Sequence, residues 1–128
     1  DRFYEECPVL EKVFVNAGIN ITKFWFVISH EEQKKRFNNR QTNPLKAGKM
    51  SAVDLSAQDK WDKYSEAMDD VFINTDIPEC PWIWVDSNNK QKARIAVMQY
   101  LLLNNDYLGK DLKAIGKIDK DVLHEIAL

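Results

Sequence analysis

Arg36 and Arg40 stand four residues apart, so on a helix two guanidinium groups share one face and can point at one anion. They lie in the run Gln33–Met50, which holds six cations, Lys34, Lys35, Arg36, Arg40, Lys46 and Lys49. No carboxylate occurs between Glu32 and Asp54, although the whole chain carries a net charge of −2. A local cationic excess in a slightly acidic chain implies an anionic partner. The first half of the run reads as the end of a helix. The second half, with Pro44 and Gly48, reads as a loop, so the cations sit on a segment able to close over a ligand. Phosphoryl transfer uses such donors, because charge spreads over the equatorial oxygens in the transition state and a lid arginine can stabilise it. Lys46 and Lys49, on the loop, offer flexible ammonium groups that can follow a long, repeating polyanion. Lys34 and Lys35 read as surface charge or as long-range steering. Taken alone, the run also fits a solvated basic helix face, the commoner fate of clustered charge.

These residues need elements to position them. Arg2–Asn16 has apolar residues at Phe3, Val9, Leu10, Val13 and Phe14, which predicts a helix bent at or begun near Pro8 and stopped by Gly18. Residues 19–28 alternate and then become continuously apolar, as a central strand covered on both faces would. Ser29-His30-Glu31-Glu32 has the form of a capping box, so a helix carrying Gln33 to Arg40 follows the strand directly. Ser51, with Asp54 three residues on, predicts a further helix reaching Asn74, with Trp61, Tyr64, Met68, Val71 and Phe72 on its apolar stripe. Asp54 orients the lid or simply caps that helix.

Pro81–Val85 predicts a second short buried strand, bounded by Asp86-Ser87-Asn88-Asn89. Lys90–Asn105 predicts the last long helix, with Ala93, Val97, Tyr100 and Leu101 inward and Lys90, Lys92 and Arg94 at its start. The rest is polar, with a short helix expected over Asp119–Ala127. Trp61, Tyr64, Met68, Trp82 and Trp84 read as core rather than as stacking platforms, and His30 and His124 as surface residues. Alternating helices and strands predict an α/β fold with a parallel sheet and helices on its faces. Two strands alone would leave thin, exposed edges, which implies a larger sheet and makes this sequence read like half a domain.

At 128 residues the chain has the size of one domain and enough apolar content for a core. Its slightly acidic balance argues against a general nucleic-acid binder. Cys7 and Cys80 lack metal-site spacing and are too few for a disulfide scaffold, which favours a reducing cytoplasm. No apolar run approaches a membrane span, so a soluble protein is expected.

The separated motifs Phe24-Trp25-Phe26, Glu32-Gln33, Arg36-Phe37, Arg40, Asn43-Pro44-Leu45-Lys46 and Lys49-Met50-Ser51, with Asp54, Trp61, Tyr64 and Thr75, resemble the family-2 polyphosphate kinases. Pro81-Trp82, Asn89-Lys90, Ala93-Arg94, Asp106-Tyr107, Gly109-Lys110-Asp111, Ala114-Ile115-Gly116 and Asp119 are similar to the carboxyl-terminal part of that family, in the class that phosphorylates nucleoside diphosphates. The resemblance implies a P-loop kinase fold similar to thymidylate kinase, with helices on both faces of a parallel sheet and a helical lid. It implies reversible, Mg²⁺-dependent phosphoryl transfer between inorganic polyphosphate and ADP or GDP, giving ATP or GTP, in a cytoplasmic homo-oligomer.

Within that resemblance, residues 1–128 correspond to the carboxyl-terminal part of one domain, with the lid at about 33–60 and a nucleotide-side loop at about 86–94. Gly18, Gly48, Gly109 and Gly116 cannot form GxxxxGK at any register, so the half bearing the Walker A and Walker B motifs is not in this sequence. The expectation is a fragment that supplies the lid, inactive alone, with no metal ligands of its own and dependent on the missing amino-terminal half. The resemblance assigns catalysis to Arg40 first and Arg36 second, polyphosphate binding to Arg36, Arg40, Lys46 and Lys49, and nucleotide binding to Lys90 and Arg94, for which helix-start surface charge is an equal reading. Asn43 replaces the family's usual Asp, which strengthens the cationic run, and Gly48 replaces its usual Trp, which loosens the loop. Two alternatives are a non-catalytic polyanion-binding module and another P-loop nucleotide kinase.

Overall fold

The computed structural model describes residues 2–48 and 50–126. Strands β1 (Lys23–Val27) and β2 (Trp82–Asp86) pair in parallel, from Lys23 opposite Trp82 to Val27 opposite Asp86. Strand β3 (Leu123–Glu125) pairs antiparallel with β2, giving the order β1-β2-β3. The sheet is therefore mixed, where the alternating pattern predicted a purely parallel one. Helices α1 (Arg2–Asn16), α2 (His30–Thr42), α3 (Pro44–Ala47), α4 (Ala52–Ala57), α5 (Trp61–Thr75), α6 (Lys90–Leu103) and α7 (Leu112–Ile115) complete the described elements.

Side-chain alternation on the strands sorts the core into two faces. Ile83 and Val85, 1% and 0% exposed, pack with Ala93 and Ala96 of α6 and with Val122 and Leu123, and Phe24, Val97, Tyr100 and Ile118 close around them. Burying each of the two aliphatic side chains stabilises the fold by about 1.5–3 kcal/mol. On the opposite face, Trp25, Trp82 and Trp84 meet Phe72 of α5, with ring centroids 5.1, 5.9 and 6.5 Å from it. A buried ion pair ties α1 to this frame: Lys23 Nζ donates to Glu11 Oε2 at 2.8 Å and to the Thr75 carbonyl at 2.7 Å. Gly18, at φ +88°, ends α1 with the Ile19 amide donating to the Phe14 carbonyl.

Several expectations change. Over residues 119–126 the helix expected at Asp119–Ala127 is a turn followed by β3, and Ala127 lies outside the described residues. The Asp121 amide donates to Asp119 Oδ1, and the amides of Val122 and Leu123 donate to the Asp119 carbonyl. Burial of Val122 and Leu123 against the sheet outweighs the weak helical pattern of this short segment. The predicted central strand is shorter and, among the described residues, lies at the sheet edge with Phe26 58% exposed. The single helix expected from Ser51 to Asn74 is divided by a 3-10 turn at Gln58–Lys60, and the loop after α2 contains α3. Tyr64 and Leu101 face outward, because the packed helical stripes are narrower than their apolar periodicity. His30 is half-buried, its ring stacked on Trp61 at 4.6 Å, rather than a surface residue.

Candidate functional site

Residue type fixes the entry to α2. Ser29 takes an extended conformation and its hydroxyl accepts from the Glu32 amide at 3.1 Å. The return half of the capping box does not form. The Ser29 amide donates instead to Asn88 Oδ1 at 2.9 Å, and Glu32 turns along the helix to accept from Arg36 Nε at 2.7 Å. Arg36 Nη2 donates to the carbonyls of Ser87 at 2.6 Å and Asn88 at 3.2 Å. Phe37, 8% exposed, seats this turn in the interior, and Arg40, one turn on, lies over its ring at 5.9 Å.

Beyond Arg40 the cationic run bends in two capped steps. Asn43 closes α2 and its side chain accepts from the Leu45 amide at 3.0 Å, starting α3 with Pro44 in its first turn. Lys46, on α3, reaches back to Asn39 Oδ1 at 3.5 Å. At Ser51 a complete capping box forms: the Asp54 amide donates to Ser51 Oγ at 3.1 Å, and the Ser51 amide and hydroxyl donate to Asp54 Oδ2 at 2.9 and 2.8 Å. The Ser51 amide, then its hydroxyl, and to a smaller degree Arg40, hold the Asp54 carboxyl below the usual carboxylate range. Arg40 Nη1 stands 3.9 Å from Asp54 Oδ1, a loose pair with both side chains partly exposed.

The parallel pairing of β1 and β2 brings a distant segment to this place. Both strands end beside each other, so the turns that follow them, into α2 and into α6, are neighbours. Asn89 Oδ1 accepts from the amides of Gln91 and Lys92, both at 3.1 Å, and so sets Lys90 at the first position of α6. Arg36, Asn39, Arg40, Lys46 and Lys90 then line one cleft of about 180 Å³, with no carboxylate among its walls. That volume equals about six liquid-water volumes, room for a phosphate-sized group. An adjoining cavity of about 210 Å³ shares Arg36 and Arg40 and adds Gln33, Phe37 and Asp54. A wider groove of about 970 Å³, walled by Tyr100, Leu103, Leu112, Ile118 and Leu123, involves none of the basic run.

The structure thus gathers four of the sequence-assigned residues, Arg36, Arg40, Lys46 and Lys90, into one cleft. Lys49 lies outside the described residues. Arg94 is exposed on α6, one turn beyond Lys90, and does not line the cleft. Asn39 and Asn88 were not singled out in the sequence. Asn39 had a signal, its place between Arg36 and Arg40 on one helix face, whereas the contact of Asn88 with Ser29 spans 59 residues and leaves no local trace. Among the described residues, no group of three or more His, Cys, Asp or Glu side chains is arranged to hold a metal ion.

Comparison with known proteins adds an independent line. The family model described as polyphosphate kinase 2 (PPK2) matches residues 1–113. The chain is similar to polyphosphate kinase PPK2B of Corynebacterium glutamicum, 42% identical over 122 residues, covering 95% of this chain and 40% of that protein. It is likewise similar to the GDP-polyphosphate phosphotransferase of Mycolicibacterium smegmatis, 42% identical over 118 residues, covering 92% of this chain and 42% of that one. Among solved structures, polyphosphate kinase 2 of Arthrobacter aurescens superposes with a TM-score of 0.76 at 36% identity, over 88% of this chain and 43% of that chain. The chain therefore spans about two fifths of the length of these relatives.

Proposed function

The chain belongs to the polyphosphate kinase 2 family, and from that premise we propose that it supplies the lid and the nucleotide-side loop of a phosphotransferase acting between inorganic polyphosphate and a nucleoside diphosphate. The observation that carries the reading is the cleft itself. Arg36, Arg40, Lys46 and Lys90 bring four positive charges to it, Asn39 adds a neutral amide, no carboxylate lines it, and these residues come from two regions separated by more than forty positions. A phosphate unit of a polyphosphate fits that chemistry, because each unit carries negative oxygens and the cleft has room for one phosphate-sized group.

In this reading Arg40 is the catalytic cation. Its planar fork can engage two oxygens of one phosphoryl group and oppose the charge that gathers there during transfer. Lys46 holds the polyphosphate from α3, and Lys49, three residues on in the sequence, is assigned to the same ligand. Lys90 approaches from the nucleotide side, where it can neutralise a phosphate of the acceptor, with Arg94 available further along α6. The whole domain is proposed to be a P-loop kinase similar to thymidylate kinase, with its phosphate cradle supplied by chain beyond these residues, acting in a homo-oligomer. The reaction is proposed to be Mg²⁺-dependent. Among the described residues no group of three or more His, Cys, Asp or Glu side chains is arranged to hold a metal ion, and the ion's protein ligands are proposed to accompany the phosphate cradle.

The test is ATP or GTP formation from ADP or GDP, Mg²⁺ and long-chain polyphosphate, by the protein that carries this chain. Arg40→Ala is expected to lower turnover by about 10²- to 10³-fold with the fold retained. Full turnover in that variant would remove Arg40 from catalysis, and absence of transfer by the unmodified protein would remove the function.

A further inference from the structure

Two segments far apart in sequence are cross-tied through Arg36, which also lines the cleft. The Ser29 amide donates to Asn88 Oδ1 at 2.9 Å, while Arg36 Nη2 donates to the carbonyls of Ser87 and Asn88. Glu32 aims Arg36 through its Nε at 2.7 Å. The loop is braced internally as well: the Asn88 amide donates to Asp86 Oδ1 at 2.8 Å, and the Ser87 amide donates to the Val27 carbonyl at 2.7 Å, extending the contact between the strand ends. Asn89, next in line, caps α6 and sets Lys90.

From these contacts we infer that Asn88 is a positioning residue, which with Arg36 latches the loop after β2 to α2 and so sets the spacing between Lys90 and the cations of α2 and α3. The two walls of the cleft belong to separate elements, and the described hydrogen bonds joining them run through Ser29, Arg36, Ser87 and Asn88. A wall held by long, solvated cations would drift without such ties. Asn88 is exposed and carries no charge, so its side chain can be removed without changing the electrostatics of the cleft or its core. The inference rests on the reading of the cleft as a phosphate site.

Tripolyphosphate is the probe, its affinity for the whole protein measured by titration calorimetry. Asn88→Ala is expected to weaken binding about threefold to tenfold, the scale of one lost hydrogen bond, and to raise KM for polyphosphate while the melting temperature stays within the range of the unmodified protein. The loss should largely vanish in a Lys90→Ala background, because Asn88 acts by placing Lys90. Arg36→Lys keeps the charge but cannot span Glu32 and the loop carbonyls together, so it should weaken binding to a similar degree, and it tests the latch from the other wall. Unchanged affinity in Asn88→Ala, an equal loss with and without Lys90, or native affinity in Arg36→Lys would each overturn the inference. Absence of tripolyphosphate binding by the unmodified protein would overturn the cleft reading and this inference with it.

Discussion

Salt should weaken tripolyphosphate binding by an amount that the charge pairs of the cleft fix in advance. Four cations line it, but they are not equally free. Arg36 is matched by Glu32 at 2.7 Å with both side chains mostly covered, so its charge is largely spent within the protein. The Arg40–Asp54 pair is long, at 3.9 Å, and its side chains are 40% and 33% exposed, a geometry that contributes little and yields readily to a phosphate. Lys46 donates to the neutral Asn39, and among the described residues no ion pair is formed by Lys46 or Lys90. Three cations are then available to displace counterions. By analogy with single-stranded nucleic acid, the logarithm of affinity should fall with the logarithm of salt at a slope of about −2, or about 18-fold between roughly 50 and 200 mM. Arg40→Ala should reduce the slope to about −1.4 and the loss to about sevenfold. Titration calorimetry at several potassium chloride concentrations reads both slopes. An identical slope in the variant would show that Arg40 does not meet the phosphate chain, and a slope near zero in the unmodified protein would refute the electrostatic reading of the whole cleft.

Lys23→Met should destabilise the fold by about 3 kcal/mol, because it leaves a buried carboxylate uncompensated; Lys23 and Glu11 are 7% and 15% exposed, and both the Cys7 and Cys80 thiols also donate to Glu11. A urea midpoint that does not move would show that the pair contributes nothing. Asp54 gives a pH dependence of known sign. Its folded-state pKa is depressed, chiefly by the Ser51 amide and hydroxyl, so its capping contribution is whole above the unfolded carboxyl value of about 3.9 and is lost as pH falls below it through the folded value. Carbon-detected NMR titration should find the Asp54 carboxyl below the usual carboxylate range, with Ser51→Ala moving it upward; no movement would assign the depression elsewhere.

Local chemistry was legible where one segment determines it. Ser29 and Ser51 cap the helices that follow them, Gly18 stops α1, and the spacing of Arg36 and Arg40 places both on one wall of the cleft. What escaped the sequence depends on partners distant along the chain. The apolar run Phe24–Ile28 records that a strand is covered but not by what, so its position in the sheet was unreadable. The segment 119–126 has too few apolar residues to choose between helix and strand, and the open edge of β2 decides it. The sequence assigns Lys90 with Arg94 to the nucleotide, apart from the basic run. Only the parallel register of β1 and β2, which sets the two following turns side by side, brings Lys90 opposite Arg40 and Lys46.

Arg36 and Arg40 are the same residue type, four positions apart, facing one cleft, and yet their surroundings give them different work. Arg36 is held by a carboxylate at one end of its fork and by two backbone carbonyls at the other, all three from its own chain. Freeing it would leave Glu32 unpaired in a half-covered position and the loop after β2 untied, so a ligand would have to replace several charge-assisted bonds to recruit it. Arg40 lies over the Phe37 ring and is paired with a single carboxylate, Asp54 Oδ1 at 3.9 Å, whose other oxygen already accepts twice from Ser51. Nothing is stranded when Arg40 turns away from Asp54, so the cost of recruiting it is small. In the proposed function a lid residue would need that property, being close to the substrate's path and weakly committed before the substrate arrives. On the same proposal the neighbouring arginine would need the opposite, because a cation that moves toward phosphate is useful only if the wall carrying Lys90 stays where it is.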